Sequence, residues 1–592
     1  MTDPAPRRRP SRAAGTAFAW TVGAVLAVAV LAVAWVGVRG WLAYGHLREA
    51  QDSVAAASAS IDDPAAAAAL LGGVGDDTSA ARSLTSDPVW HAAETVPWVG
   101  PQLAAVAHLA ASIDDVAADA LGPLSEAASG LSADALRPVD GAFDVARIAA
   151  LEPAAGAAAT ALSGASDDLA GIDERPLLGV VREAVGQARD LVSEASVSAD
   201  ALHRATRIVP AILGANGPRT YLVAFQNNAE WRSMGGIVGA VAQIDTENGR
   251  ISLGAQGSSG DFRAPAPDDP VVALPEDTLR IFGTRPARFI QNVTQLPDFT
   301  MGAPIAREMW LRETGTAVDG VIALDPVSLS YILRATGPIT LPTGDVITSD
   351  NAVSLLLDEV YRRYEVPAQQ DAFFQSAAAS VFQALADGRA DPAALIDALT
   401  EAGEQRRLLM WSADAAEQSV LDGTTLQGAL PVSDDDRTAF GVYLNDGTGS
   451  KMDYYLHVDV ETAWCGADAA SLRVTLRNDA PDPATLPAYV TGGGAFGVPE
   501  GQALTGVYVY LPEGAVLQDQ RLSSTGSAAS ATTDTDRGHG VVKWSVQLAP
   551  GQQAELLLKA GTPATAELGA LLTPTVYANE TSRVGVGCAF PE

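Results

Sequence analysis

The chain has 592 residues, too many for one compact core at about 100 to 200 residues per domain. Hydrophobic residues make up 47% of it, which excludes a wholly disordered chain. Its 38 basic and 71 acidic residues give a net charge of −33, which excludes nonspecific nucleic-acid binding, because neutralising phosphates needs a basic face.

The first predicted element is "AFAWTVGAVLAVAVLAVAWVGV", Ala17 to Val38, an uncharged run of 22 residues. As a helix it spans about 30 Å, the hydrocarbon thickness of a bilayer. Trp20, Trp35 and Trp41 lie near its ends, where indole rings favour the interface. A cleaved signal peptide has a shorter apolar region, so the run reads as a transmembrane signal anchor. Arg7, Arg8, Arg9 and Arg12 precede it, against Arg39 and Arg48 shortly after. The positive-inside tendency therefore puts residues 1–16 in the cytoplasm as a tail too short to fold, 17–38 in the plasma membrane, and the bulk of the chain outside.

From 42 to 215 alanine dominates, with Leu103, Val106, Leu109, Ile113 and Val116 at helical spacing. This region is expected to be an extracytoplasmic helical bundle, a disordered stalk being the alternative. Residues 216–430 alternate strand-like runs ("YLVAF", "IVGAVAQI", "VDGVIALD") with helical ones, which predicts an α/β layered domain with a helical insertion. Asp325 before Pro326 suits a helix cap. Residues 437–592 carry six or more short strands separated by Gly, Pro, Asp and Ser, which predicts an antiparallel β-sandwich. Cys465 and Cys588 fall in that last part, and an oxidising compartment favours a disulfide between them over two buried thiols. The fold class is thus multidomain.

Several chemistries find no motif. "GGGAFG", Gly492 to Gly497, has no following helix to hold a pyrophosphate and reads as a glycine loop. The sequence has no Walker A, HExxH or GxSxG pattern and no paired histidines. What stands out is "QNNAEWRSMGG", where an acid, an arginine, two asparagines and two glycines sit between apolar runs. Asn227, Asn228, Glu230 and Arg232 can form either a hydrogen-bonded turn or the floor of a pocket.

The segments "QNNAEWRSMGGIVGA", "NVTQLPDF" and "VDGVIALDPVSLSYILRATGPITLP" resemble the bacterial family catalogued as domain of unknown function 4012, over about residues 216 to 365. "YLNDGTGSKMDYYL" resembles the usual continuation in actinobacterial members. The resemblance implies a membrane-anchored protein of the cell envelope, associated with exopolysaccharide or cell-wall assembly, and no established activity. In element order the region also distantly resembles the LytR-CpsA-Psr family of glycopolymer transferases. That resemblance implies acids holding Mg²⁺ and arginines holding pyrophosphate. Carried over, Glu230, Asp261 and Asp298 become the acids, with Glu230 and Asp261 the metal ligands, and Arg232, Arg263 and either Arg362 or Arg363 the phosphate ligands.

Three readings of function follow. The first is an envelope protein that binds a phosphate-bearing or glycan ligand, such as a lipid-linked precursor. The second is a Mg²⁺-dependent phosphotransferase acting on polyprenyl-pyrophosphate carriers, and the third a non-catalytic scaffold.

Overall fold

The computed structural model describes residues 12–59, 64–128, 137–139, 141–577, 583–584, 587–588 and 590. Most of the proposed cytoplasmic tail lies outside the described residues. Two compact units form, one from residues 1–135 and 146–209, the other from 136–145 and 210–592.

The first unit is helical. Its helices are α1 (Arg12–Ala59), α2 (Pro64–Thr85), α3 (Pro88–Glu94), α4 (Gly100–Val116), α5 (Gly122–Ala128), α6 (Val145–Ala149), α7 (Glu152–Ala170) and α8 (Gly179–Ile212). In α1 the apolar stretch presents Val25, Leu26, Val30, Leu31, Val33 and Val38 bare on its surface. Water does not tolerate such a face on a helix, whereas a bilayer does, so α1 is consistent with a membrane anchor. Farther along, small side chains let the helices approach closely. Ala43, Ala81 and Ala110 form one layer, and Ala50, Val74 and Ala117 the next. The segment Val145–Ala170 is also long and apolar enough to cross a membrane. However, Ala158, Leu162, Ala165 and Leu169 of α7 pack with Leu109 and Val192, which makes α7 a bundle helix. The alanine-rich region is thus a packed bundle, not a stalk.

The second unit is built on a five-stranded sheet in the order β3-β2-β1-β4-β7. Its strands are β1 (Arg219–Arg232), β2 (Gly235–Glu247), β3 (Arg250–Ser258), β4 (Gly320–Leu324) and β7 (Leu408–Ser412), while β5 (Ile339–Thr340) and β6 (Val346–Ile347) form a separate small hairpin. β1 runs antiparallel to β2 and parallel to β4, the connection passing through α9 (Glu276–Phe282) and α10 (Phe299–Thr314). Period-two alternation sends Leu222, Ala224, Val321, Ala323 and Leu409 into a core with Phe299, Ala303 and Met309 of α10. The opposite face lies under α11 (Pro326–Thr336), the short helices α12 (Ala352–Ser354) and α13 (Val360–Arg363), α14 (Pro367–Ala386) and α15 (Pro392–Glu404).

Asp325 is the predicted cap of α11. Its Oδ1 accepts from the Ser328 N–H at 2.7 Å, with Pro326 in the first turn. It does more than cap: Oδ2 accepts from Arg407 Nη1 at 2.7 Å and from Asn228 Nδ2 at 2.9 Å, and Arg407 and Asp325 are both 1% exposed. Arg407 Nη1 also donates to the Thr575 carbonyl at 2.8 Å, so this ion pair ties the sheet, α11 and the C-terminal region together.

Beyond α16 (Ala415–Leu421), the strands among the described residues are β8 (Arg437–Asp446), β9 (Leu456–Trp464), β10 (Ala469–Asn478), β11 (Ala503–Tyr510), β12 (Val516–Ser524), β13 (Ser527–Asp536), β14 (His539–Leu548), β15 (Gln553–Gly561), β16 (Glu567–Leu572) and β17 (Arg583–Val584), in two five-stranded sheets ordered β12-β15-β10-β9-β17 and β13-β14-β11-β8-β16. They are not wholly antiparallel as expected: β16 (Glu567–Leu572) runs parallel to β8, and β17 parallel to β9 (Leu456–Trp464). The physical reason is the return of the chain end, which crosses from one sheet to the other and lies beside each early strand in its own direction. Cys465 and Cys588 are bonded, with Cα atoms 4.9 Å apart. The bond closes 123 residues of sequence, worth about 4 to 5 kcal/mol in the chain-entropy model. One apolar cluster contains Trp231, Leu333, Leu356 and Phe373 as well as Phe440, Leu472 and Trp544. The α/β region and the strand region therefore share a core.

Removing one partner of a buried ion pair leaves the other uncompensated. Arg407→Leu is expected to destabilise the second unit by about 3 to 5 kcal/mol in chemical denaturation, with Asp325 stranded.

A candidate ligand cavity with a charged mouth

Under α11, α14 and α15 the sheet is covered but not filled. A cavity of about 1030 Å³ lies against Val223 and Phe225 of β1, Ile322 and Leu324 of β4, and Leu408 and Met410 of β7. Its other wall includes Leu329, Ile332, Phe374, Ala378, Val381 and Phe382 of the helices. The cavity opens to solvent through a mouth, so water can enter it, and its walls are mainly hydrocarbon, which an apolar ligand would cover more favourably than water does.

The mouth is made where β1 departs from regular pairing. Asn227 pairs with Ile237 but Trp231 pairs with Gly236, so Asn228, Ala229 and Glu230 bulge out of the ladder. Gly236 is required there, since a Cβ on it would meet the Asn227 carbonyl oxygen at 2.1 Å. The bulge splits the asparagines: Asn228 points into the Asp325 network, while Asn227 lines the cavity and donates from Nδ2 to the Tyr361 hydroxyl at 2.5 Å.

Glu230 is buried and ion-paired with Lys451, whose Nζ lies 5.0 Å and 5.3 Å from the ring centres of Tyr361 and Tyr489. Burial pushes the Lys451 ammonium down to about 7, against the opposing pull of Asp453. Contact with the Glu230 carboxylate acts in the same direction as Asp453. Asp453 accepts from the Trp231 N–H at 2.7 Å through Oδ2, while Oδ1 is buried with no hydrogen-bond partner among the described residues. Burial first, and the nearby Asp446 second, raise its carboxyl well above the ordinary value. Asp446 is itself raised by burial and opposed by Arg232; its carboxylate accepts from the Thr448 and Gly449 N–H groups, both at 2.8 Å.

Arg232 lines the same mouth. Its Nε donates to Asn292 Oδ1 at 2.9 Å and Nη1 to the Trp231 carbonyl at 2.7 Å, and no carboxylate oxygen lies within ion-pair distance among the described residues. Burial lowers its pKa, the carboxyls of Asp446 and then Asp453 oppose that lowering, and Arg285, another lining residue, adds to it more weakly as a neighbouring positive charge. Arg285 also has no carboxylate partner among the described residues. Two neighbouring guanidinium groups at the opening of an apolar cavity have the chemistry to hold an anion.

The remaining residues singled out by the sequence lie elsewhere. Asp261 closes a capping box, accepting from the Ser258 N–H at 2.7 Å, and is exposed. Arg263 is exposed, with its backbone N–H near Glu313. Asp298 caps α10 through the Thr300 N–H at 2.8 Å and pairs with Arg537. Arg362 pairs with Asp358 and Arg363 with Asp345 and Glu359. Glu230 and Asp261 do not partner each other. Among the described residues, the group of three with ligand atoms mutually within 4.8 Å is His46, Glu49 and Asp77 of the helical unit.

Sequence reasoning missed Lys451, Arg285, Tyr361 and Tyr489. One signal was present: "NDGTGSK" carries one of only three lysines, next to acids and glycines, inside the segment noted for its resemblance. The "GGGAFG" loop has no following helix, as read, but its Phe496, at a positive φ of 58°, also lines the cavity.

Residues 216–361 match the family model described as Protein of unknown function (DUF4012), in agreement with the resemblance read from the sequence. No curated protein and no solved structure matches the chain. The matched segment supplies β1, β2, Arg285 and Tyr361 of the mouth, and Lys451 lies beyond it.

Asp453 yields a pH prediction. Its folded pKa is raised, so its favourable contribution is fully present below the unfolded value of 3.8 and is lost as pH rises above it. Asp453→Asn should therefore match the wild type in stability near pH 3.8 and exceed it increasingly towards neutral pH, as followed by thermal melting.

Proposed function

We propose that the second unit binds an amphiphile, its apolar chain in the cavity and its phosphate-bearing head at the Arg232 and Arg285 mouth. The observation that carries this reading is the pairing of a cavity of about 1030 Å³ walled by hydrocarbon with two arginines that have no carboxylate within ion-pair distance among the described residues. Ligand sites of ordinary metabolites rarely exceed about 1,000 Å³, so the volume suits a long-chain ligand. Lys451 adds a third cation, held back by Glu230 until an anionic head competes for it.

In this reading α1 anchors the chain with its N-terminus cytoplasmic and its bulk extracytoplasmic, the two C-terminal sheets form a disulfide-stapled β-sandwich, and the ligand is a lipid-linked glycan precursor of cell-envelope polymer assembly. The family resemblance supports the envelope setting; the cavity supports the lipid. Magnesium-dependent transfer from a polyprenyl-pyrophosphate carrier has less support. It needs acids free to hold the cation, whereas Glu230 is engaged by Lys451 and Asp261 by its own turn. A scaffold without a ligand leaves the cavity unexplained.

The test uses the full chain in lipid nanodiscs with a prenyl phosphate and the matching prenyl alcohol. The phosphate should bind about tenfold tighter or more, a difference of about 1.4 kcal/mol. Arg232→Ala should abolish that preference, and Ala378→Phe, which fills the cavity, should weaken both ligands. Equal binding of phosphate and alcohol to the wild type would reject the reading.

A further inference from the structure

The helical unit carries an exposed apolar tip that its fold places beside the membrane-crossing part of α1. The layers fix the level. Ala43, Ala81 and Ala110 make one, and Ala50, Val74 and Ala117 the next, so α1 and α4 advance together by seven residues while α2 runs back by seven. Toward the other end, Trp90 of α3 lies against Gly40 of α1, where an added Cβ would come within 3.4 Å of its ring, and donates from Nε1 to the Leu103 carbonyl of α4 at 3.2 Å. Gly100, the first residue of α4, precedes Ala110 by ten residues, about 15 Å of helix rise. The same descent from Ala43 along α1 reaches Val33, inside the apolar run that ends at Val38.

The turn before Gly100 is "VPWV", Val96 to Val99. Trp98 is 91% exposed and holds a positive φ of 70°, a backbone region that a bulky residue adopts only at a cost of about 1 to 3 kcal/mol. Val96 and Val99 are exposed as well. A second loop reaches the same level, because the Gln102 side chain accepts from the Leu178 N–H at 2.9 Å and donates to the Pro176 carbonyl at 2.8 Å. There Leu178 and Val180 are 66% and 80% exposed. Two polar pairs lie at this end, Arg39 with Asp87 at 3.0 Å and Arg175 with Asp173 at 2.8 Å. Apolar tips interleaved with charged pairs, beside a helix leaving the bilayer, fit the boundary between acyl chains and headgroups.

We propose that Val96, Trp98, Val99, Leu178 and Val180 insert into the lipid interface of the membrane that α1 crosses, so that the bundle is seated in the bilayer surface and does not swing freely on its anchor. The proposal rests on reading α1 as membrane-spanning and is independent of which side the bundle faces. Because both native cysteines are bonded, a single added cysteine can be labelled in the full chain. An environment-sensitive fluorophore would be placed by Trp98→Cys, Leu178→Cys, Val30→Cys or Asp119→Cys, in vesicles carrying spin-labelled lipids quenching either near the headgroup or deep in the acyl region.

The expected result is deep quenching at position 30, none at 119, and quenching at 98 and 178 by the shallow label at least about twofold above that at 119. Deep quenching at 30, with 98 and 178 no more quenched than 119, overturns the insertion and keeps the anchor. No quenching at 30 overturns the anchor, and the inference falls with it.

Discussion

β1 and β4 carry apolar side chains on both faces, so the sheet they centre has to be covered on both sides. On one face Leu222, Ala224, Val321 and Ala323 meet the side chains of α10 and the layer closes into a packed core. On the other, Val223, Phe225, Ile322 and Leu324 face helices that stand off and leave a cavity of about 1030 Å³. The two faces of one sheet thus differ in how fully they are packed. A packed face is explained by stability alone, whereas an unfilled one of this size has room for a ligand.

The standoff is held open by polar anchors at the edge of the layer. Asp325 fixes the start of α11 and binds Arg407 and Asn228, so the helix cannot settle onto the sheet without breaking a buried ion pair. At the mouth, the bulge in β1 and the loop after β8 bring Glu230, Arg232, Asp446, Lys451 and Asp453 together in a buried setting. Burial drives the acids up and the bases down, which weakens internal neutralisation by Asp446 and Asp453 and leaves Arg232 beside Arg285 with no carboxylate within ion-pair distance among the described residues. A bound anion would supply a counterion at that distance.

Much of this architecture was readable in the sequence, because it rests on periodicity. The apolar run of α1, the alanine spacing of the bundle, the alternating strands of β1 and β4 and the cap at Asp325 all appear in local pattern. Glu230 and Arg232 were identified through their setting between apolar strands. What the pattern did not show is set by long-range approach: Lys451 reaches Glu230 across 221 residues of sequence, and Arg285 joins Arg232 from a short helical turn. Asp261 and Asp298 show the converse, since an acid before a helical turn serves as a cap as readily as a ligand. The parallel pairing of β16 and β17 is likewise a matter of chain return, which strand propensity does not encode.

The central claim is that the cavity holds the apolar chain of a phosphate-bearing amphiphile. Its most direct test is native mass spectrometry of the full chain released from its membrane, with phosphorus and lipid analysis of whatever stays bound. The account predicts about one phosphate-bearing lipid per chain in the wild type, lost when Arg232 and Arg285 are both replaced by alanine in a chain that remains folded. A wild-type chain carrying no such lipid, or a double variant retaining it in full, would contradict the account.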